Sequence, residues 1–129
     1  MQKSSSPHTN ILLLDSDPIT RTVLRDTLQH AGYVVFAAGD LGEGVDRLTE
    51  VRPDLLITRP YINSMPGHTA AEYLRNKCLG LPVLIVAGFM DDDRVNVQNT
   101  IAGFYTFPKP FLGEELLDKV KSLLDAIYP

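Results

Sequence analysis

Three short runs, Ile11–Leu14, Leu55–Ile57 and Val83–Val86, carry apolar side chains at every position. A strand that alternates has a polar face to give to water; a strand without one must be covered on both faces. Unbroken apolar strands of this length therefore point to the centre of a parallel sheet sandwiched between helices.

The segments between them read as the helices such a sheet needs. Asp17-Pro18 supplies an N-cap followed by proline at the first helical position. A helix is predicted from there to about Ala31, with Ile19, Val23, Leu24, Leu28 and Ala31 turned inward and Gly32 ending it. Tyr33–Ala38 is a second strand, and Asp40 caps a helix carrying Leu41, Val45, Leu48 and Val51. Pro53-Asp54 leads into the strand at Leu55, so Asp54 is expected to be a strand-entry turn residue. A loop with Asn63, Ser64, Pro66 and Gly67 follows, then a helix over about Thr69–Cys78 with Ala70, Ala71 and Leu74 inside. Beyond the strand opened by Pro82 come a helix over Met90–Ile101, an aromatic strand Phe104–Phe107, a turn at Lys109-Pro110-Phe111, and a helix over Leu112–Ile127 with a stripe of Leu112, Leu116, Val120, Leu123 and Ile127.

Five strands alternating with five helices give an α/β fold with right-handed crossovers. The second and fifth strands contain Tyr33, Tyr105 and Thr106, which suits edge positions in the order 2-1-3-4-5. In that order the ligand crevice opens between the carboxyl ends of the first and third strands. Asp15, Ser16, Asp17, Arg59, Ala87 and Lys109 converge there. A cation at the end of the third strand is the unusual member of this set.

Composition narrows the chemistry. A length of 129 residues with 44% hydrophobic content suits one domain, taken as 10–129 after a polar, disordered tail at 1–9. A formal charge of -4 without a Lys/Arg-rich run disfavours nucleic acid. Residues 1–9 lack the apolar core of a signal peptide and no stretch is long enough to span a bilayer, so a cytoplasmic location is expected. The single cysteine, Cys78, excludes an internal disulfide and reads as a packing residue; His8, His30 and His68 are scattered, without zinc-ligand spacing.

Other features read as structural before they read as functional. Asp91-Asp92-Asp93 suits a helix N-cap better than a cation site. Gly39, Gly42 and Gly44 lack the spacing of a phosphate loop and are assigned to turn and helix-surface use. Tyr105 and Phe107 fit edge-strand packing or an interaction surface equally well.

The chain resembles a receiver domain of two-component response regulators over roughly residues 10–127. The resemblance rests on the apolar strand ending in acids before a Pro-capped helix with Arg21, on Ala31-Gly32-Tyr33, Pro53-Asp54-Leu55-Leu56, Leu81-Pro82-Val83-Leu84 and Ala102-Gly103, and on Lys109-Pro110-Phe111 followed by Glu114-Glu115-Leu116. It implies a flavodoxin-like (βα)5 three-layer sandwich. It also implies a phosphorelay chemistry in which an aspartate after the third strand takes a phosphoryl group from a kinase histidine. Two acids after the first strand hold Mg²⁺, a Ser/Thr after the fourth senses the phosphoryl group, and a lysine after the fifth contacts its oxygens.

Mapped residue by residue, the resemblance retains Asp15, Lys109 and Pro110 and loses the rest. Ser16 replaces the second metal-binding acid, Arg59 falls at the phosphoacceptor position, Ala87 at the switch hydroxyl and Thr106 at the switch aromatic. A guanidinium stays protonated and has no lone pair to attack phosphorus. Asp54 does not rescue the chemistry, because it enters the strand about 15 Å from the crevice at ~3.3 Å per residue. Asp15, Arg59 and Lys109 leave the crevice with one net positive charge, so weak or absent Mg²⁺ binding and an Arg59–Asp15 pair are expected.

The reading is a degenerate receiver, or pseudo-receiver: not an enzyme, without metal or cofactor, and built for protein–protein interaction. Its expected partners are a histidine kinase or other signalling protein, and a second copy docked through the fourth helix, fifth strand and fifth helix, with no nucleic acid or membrane. One alternative is an anion or small-ligand sensor using Arg59 and Lys109. Another is a phospho-regulated receiver with a non-standard acceptor such as Asp15, Ser16 or Thr58.

Overall fold

A computed structural model describes residues 9–86, 104–107 and 113–128, the backbone alone for 104–107. In chain order the elements are β1 (Asn10–Leu14), α1 (Pro18–His30), β2 (Val34–Ala38), α2 (Leu41–Leu48), β3 (Leu55–Thr58), β4 (Tyr61–Ile62), β5 (Met65–Pro66), α3 (Gly67–Lys77), β6 (Val83–Val86), β7 (Phe104–Phe107) and α4 (Gly113–Ile127). The main sheet runs β2-β1-β3-β6-β7, all neighbours parallel, and β4 and β5 form a separate antiparallel hairpin.

This corrects the expected five strands in one place. The loop foreseen around Asn63 and Ser64 is the β4–β5 hairpin, so seven strands in two sheets lie among the described residues. Four helices lie among the described residues; the expected helix over Met90–Ile101, the Asp91–Asp93 cap and the Lys109–Phe111 turn lie outside them. Thr9, assigned from sequence to the tail, is buried and its carbonyl accepts the Val34 N–H at 3.0 Å.

Alternate residues of β1 feed two cores. Ile11 and Leu13 pack with Leu24 and Leu28 of α1 and with Leu116, Val120, Leu123 and Leu124 of α4. Leu12 and Leu14 pack on the opposite face with Ala70, Ala71, Leu74 and Cys78 from the α3 region. Both faces of the central strands are thus dry, which is why their sequences do not alternate. No helix among the described residues is long and apolar enough to cross a membrane.

The helix boundaries follow local chemistry. Asp17 caps α1, its carboxylate accepting the Thr20 N–H at 3.0 Å, and Gly32 at φ 100 ends the segment in a conformation that costs a glycine little. Asp40 caps α2 through the Glu43 N–H at 2.8 Å, while the Glu43 carboxylate reaches back to the Gly39 N–H at 2.6 Å. That helix stops at Leu48, leaving Val51 beyond it. α3 starts at Gly67, two residues earlier than expected. Gly44, expected on a helix surface, is buried against Leu74 and Leu14.

The inner face of α1 also needs correcting. Leu24 and Leu28 are fully buried, but Ile19 is 76% and Val23 48% exposed. At about 100° per residue, Ile19 lies roughly 140° around the helix from Leu24, so one stripe cannot hold both. Ala31 is exposed as well.

Asp54 is a strand-entry residue. Its carboxylate accepts the Asn10 N–H at 2.9 Å, its own N–H donates to the Asn10 carbonyl at 2.7 Å, and its carbonyl accepts the Tyr128 hydroxyl at 2.9 Å. It works at the amino end of the sheet, opposite the crevice.

Candidate functional site

The site begins where β1 stops. The parallel register pairs Leu14 with Thr58 across β1 and β3, and the next residues along each strand are Asp15 and Arg59. The ladder continues one step into the turn: the Arg59 N–H donates to the Leu14 carbonyl at 3.3 Å, and the Asp15 N–H donates to the Ala38 carbonyl of β2 at 3.0 Å. Backbone pairing on both sides therefore fixes Asp15 at the carboxyl edge of the three strands.

Asp15 is 2% exposed. Its Oδ1 accepts the Asp17 N–H at 2.9 Å, an Asx-type turn that bends the chain from strand to helix. Its carbonyl accepts an Nη1–H of Arg21 at 2.8 Å. Its Oδ2 lies 3.9 Å from Arg59 Nε, close enough for an ion pair and too far for a good hydrogen bond, and accepts no hydrogen bond among the described residues. Burial pushes the Asp15 carboxyl above its ordinary range, and the Asp17 N–H and the Arg59 and Arg21 guanidiniums only partly offset it.

Arg59 is itself largely buried, with a side chain 13% exposed. Its carbonyl accepts the buried Thr58 hydroxyl at 3.1 Å. Gly67 lies directly against that carbonyl, and a Cβ on Gly67 would overlap the oxygen. The Gly67 N–H donates to the Pro60 carbonyl at 2.6 Å, closing the chain on itself around the β4–β5 hairpin.

Ser16 and Asp17 complete the rim. The Ser16 hydroxyl accepts the Asn63 N–H at 3.1 Å, joining the turn after β1 to the tip of the hairpin. Asn63 sits at φ 56, a left-handed conformation that asparagine tolerates. The Asp17 carboxylate is held by the Thr20 hydroxyl at 2.5 Å as well as by its N–H, and these bonds, with the Arg59 and Arg21 charges, keep its carboxyl below the ordinary range.

The fold thus brings together Asp15, Ser16, Asp17 and Arg59. Thr106 is in β7, paired in register with Ile85. Ala87, Lys109 and Pro110 lie outside the described residues, and the side chains of Tyr105 and Phe107 are not among those described. Asn63 and Gly67 belong to the site but were legible only as loop punctuation. No signal in the sequence pairs residue 63 with residue 16.

Mg²⁺, the cation implied by the resemblance, does not fit this donor set. A hard divalent ion wants several oxygens, carboxylates foremost. Here the one buried carboxylate faces a guanidinium, the Ser16 hydroxyl is engaged by Asn63, and the Asp17 carboxylate caps α1. Among the described residues no group of three His, Cys, Asp or Glu side chains is placed to hold a metal ion.

Comparison with known proteins agrees with the fold. The family of response regulator receiver domains matches residues 11–121. The response regulator MprA of Mycobacterium avium is 32% identical over 124 residues, covering 92% of this chain and 52% of its own length, and MprA of Mycobacterium tuberculosis gives the same identity and coverage. The chain spans about half the length of these curated relatives. A two-component response regulator from Clostridium difficile superposes with a TM-score of 0.79 at 22% identity, covering 93% of this chain and 98% of that one. The response regulator TrrA of Thermotoga maritima, crystallised with Mg²⁺ and BeF, gives 0.72 at 26% identity, covering 89% and 98%. With the matched family spanning the chain from β1 well into α4, and with a parallel sheet whose crevice opens at Asp15, this chain belongs to the response regulator receiver domain family.

Proposed function

We propose that this receiver domain signals without phosphoryl transfer, as a non-enzymatic protein-binding module of a two-component system. The observation that carries this is Arg59 immediately after β3, its guanidinium turned toward Asp15 at 3.9 Å. An acyl phosphate needs a carboxylate nucleophile, and arginine at this position has no lone pair to offer phosphorus. A permanent cation beside Asp15 also opposes Mg²⁺, which phosphoryl transfer uses to neutralise charge on the transferring oxygens. Ser16 and Ala87 add to the case, the first offering no charge to a metal and the second no hydroxyl to a phosphoryl group.

The partner in this reading is a histidine kinase or another signalling protein. The contact surface in this reading is the face of the expected fourth helix, fifth strand and fifth helix (Met90–Ile101, Phe104–Phe107 and Leu112–Ile127), which also serves a second copy. Neither nucleic acid nor a membrane is part of it.

Incubation with acetyl phosphate and Mg²⁺ followed by intact-mass measurement tests the reading. The expected spectrum lacks the adduct of about 80 Da that a phosphoryl group adds. An adduct mapped to Asp15, Ser16 or Thr58 would overturn it.

A further inference from the structure

The resemblance implies a Mg²⁺ held by two acids after the first strand, next to the phosphoacceptor after the third. Here protein groups join the turn after β1 to the segment after β3. Ser16 Oγ accepts the Asn63 N–H at 3.1 Å across 47 residues of sequence, and Asp15 faces Arg59 at 3.9 Å one position earlier on each side. The body of the hairpin is anchored by Ile62, buried in the core that Leu12, Leu14 and Leu74 share, with Met65 packed beside it, while β4 and β5 are two residues each and, among the described residues, pair with one another. Its base is secured by the Gly67 N–H on the Pro60 carbonyl, but its tip at Asn63 is exposed and rests on Ser16.

We infer that Ser16 is a positioning residue whose hydroxyl straps the β4–β5 hairpin to the turn after β1, so that the crevice keeps one arrangement with no divalent cation present. This deepens the phosphorylation-independent reading, on which it rests, by naming what holds the two segments together without a metal. A hydroxyl suits the task because it is neutral. It accepts a backbone N–H without adding a second anion beside buried Asp15, whose charge the Asp17 N–H, Arg59 and Arg21 only partly offset. Tying down the tip also limits how far the chain around Arg59 can swing away, because Pro60 and Gly67 share the hairpin's base.

Amide hydrogen exchange on the full chain in EDTA tests the strap. The Asn63 amide of the wild type is expected to be protected without any metal. Ser16→Ala should speed its exchange roughly tenfold, the scale of one lost hydrogen bond, while β1 amides stay slow. Ser16→Thr, which keeps the hydroxyl, should restore protection. Wild-type exchange at the unprotected rate, an unchanged Ser16→Ala, or a Ser16→Thr as fast as the alanine variant would each overturn the inference. Because all arms run in EDTA, they are independent of the acetyl phosphate experiment: a phosphoryl adduct would overturn the functional reading and leave the strap standing.

Discussion

Asp15 and Arg59 face each other one residue beyond the Leu14–Thr58 pair of two parallel strands, Oδ2 to Nε 3.9 Å, with side chains 2% and 13% exposed. Opposite charges this deeply placed are costly to separate by mutation, because the remaining partner stays buried and uncompensated.

Arg59→Met is therefore expected to cost about 3 kcal/mol at pH 7. Asp15 already has a raised carboxyl pKa, and losing the cation raises it further. A group with a raised acid pKa penalises the fold only when ionised. The penalty is absent below the unfolded value of about 3.9 and grows as pH rises through the folded value. Urea unfolding should show the variant close to wild type in acid and weaker at neutral pH. An equal loss at both would refute the assignment. Asp15→Asn combined with Arg59→Met should recover most of the neutral-pH loss.

Asp17 predicts the opposite sign. Its carboxyl is depressed by the Thr20 hydroxyl and N–H, so its contribution is present above the unfolded carboxylate range and fades as pH falls through the folded value. Asp17→Asn keeps an N-cap acceptor but cannot titrate. Stability measured from neutral to acid pH should lose this step in the variant, and a profile that superposes on wild type would contradict the role.

The two apolar faces of α1 differ in what they contribute. Leu24→Ala should cost about 2–5 kcal/mol because it opens a cavity between α1 and the sheet. Ile19→Ala, at an exposed position, should stay within about 0.5 kcal/mol. Thermal or urea unfolding of the pair decides whether the burial assigned to α1 is right, and comparable losses would show that it is not.

Gly67→Ala is expected to destabilise by about 1–3 kcal/mol, the usual range for forcing an extra carbon into a packed site. The obstruction is the Arg59 carbonyl, a backbone atom that cannot rotate away. The displaced segment carries Arg59 with it, so the variant should also change amide exchange at Arg59, and an unperturbed variant would show that the approach is looser than described.

Much of the fold can be read without coordinates. Unbroken apolar runs mark β1, β3 and β6, Asp17-Pro18 and Asp40 mark helix starts, and Asp54 falls at a strand entry, because each rests on the chemistry of neighbouring residues. Where two local stripes compete, as on α1, periodicity cannot choose between them; the sheet buries Leu24 and Leu28 and leaves Ile19 outside.

The sequence alone determined that Asp15 ends one central strand and Arg59 ends another, that Ser16 carries no charge, and that arginine cannot be a phosphoacceptor. These are properties of residue type and position along a strand. Only the tertiary structure decided that Oδ2 of Asp15 faces Arg59 Nε at 3.9 Å, that burial dominates the carboxyl's pKa, and that the Ser16 hydroxyl is taken up by Asn63. Contacts across 44 or 47 residues depend on strand register and on a hairpin too short to show as a pattern, and distance along the chain carries no information about either.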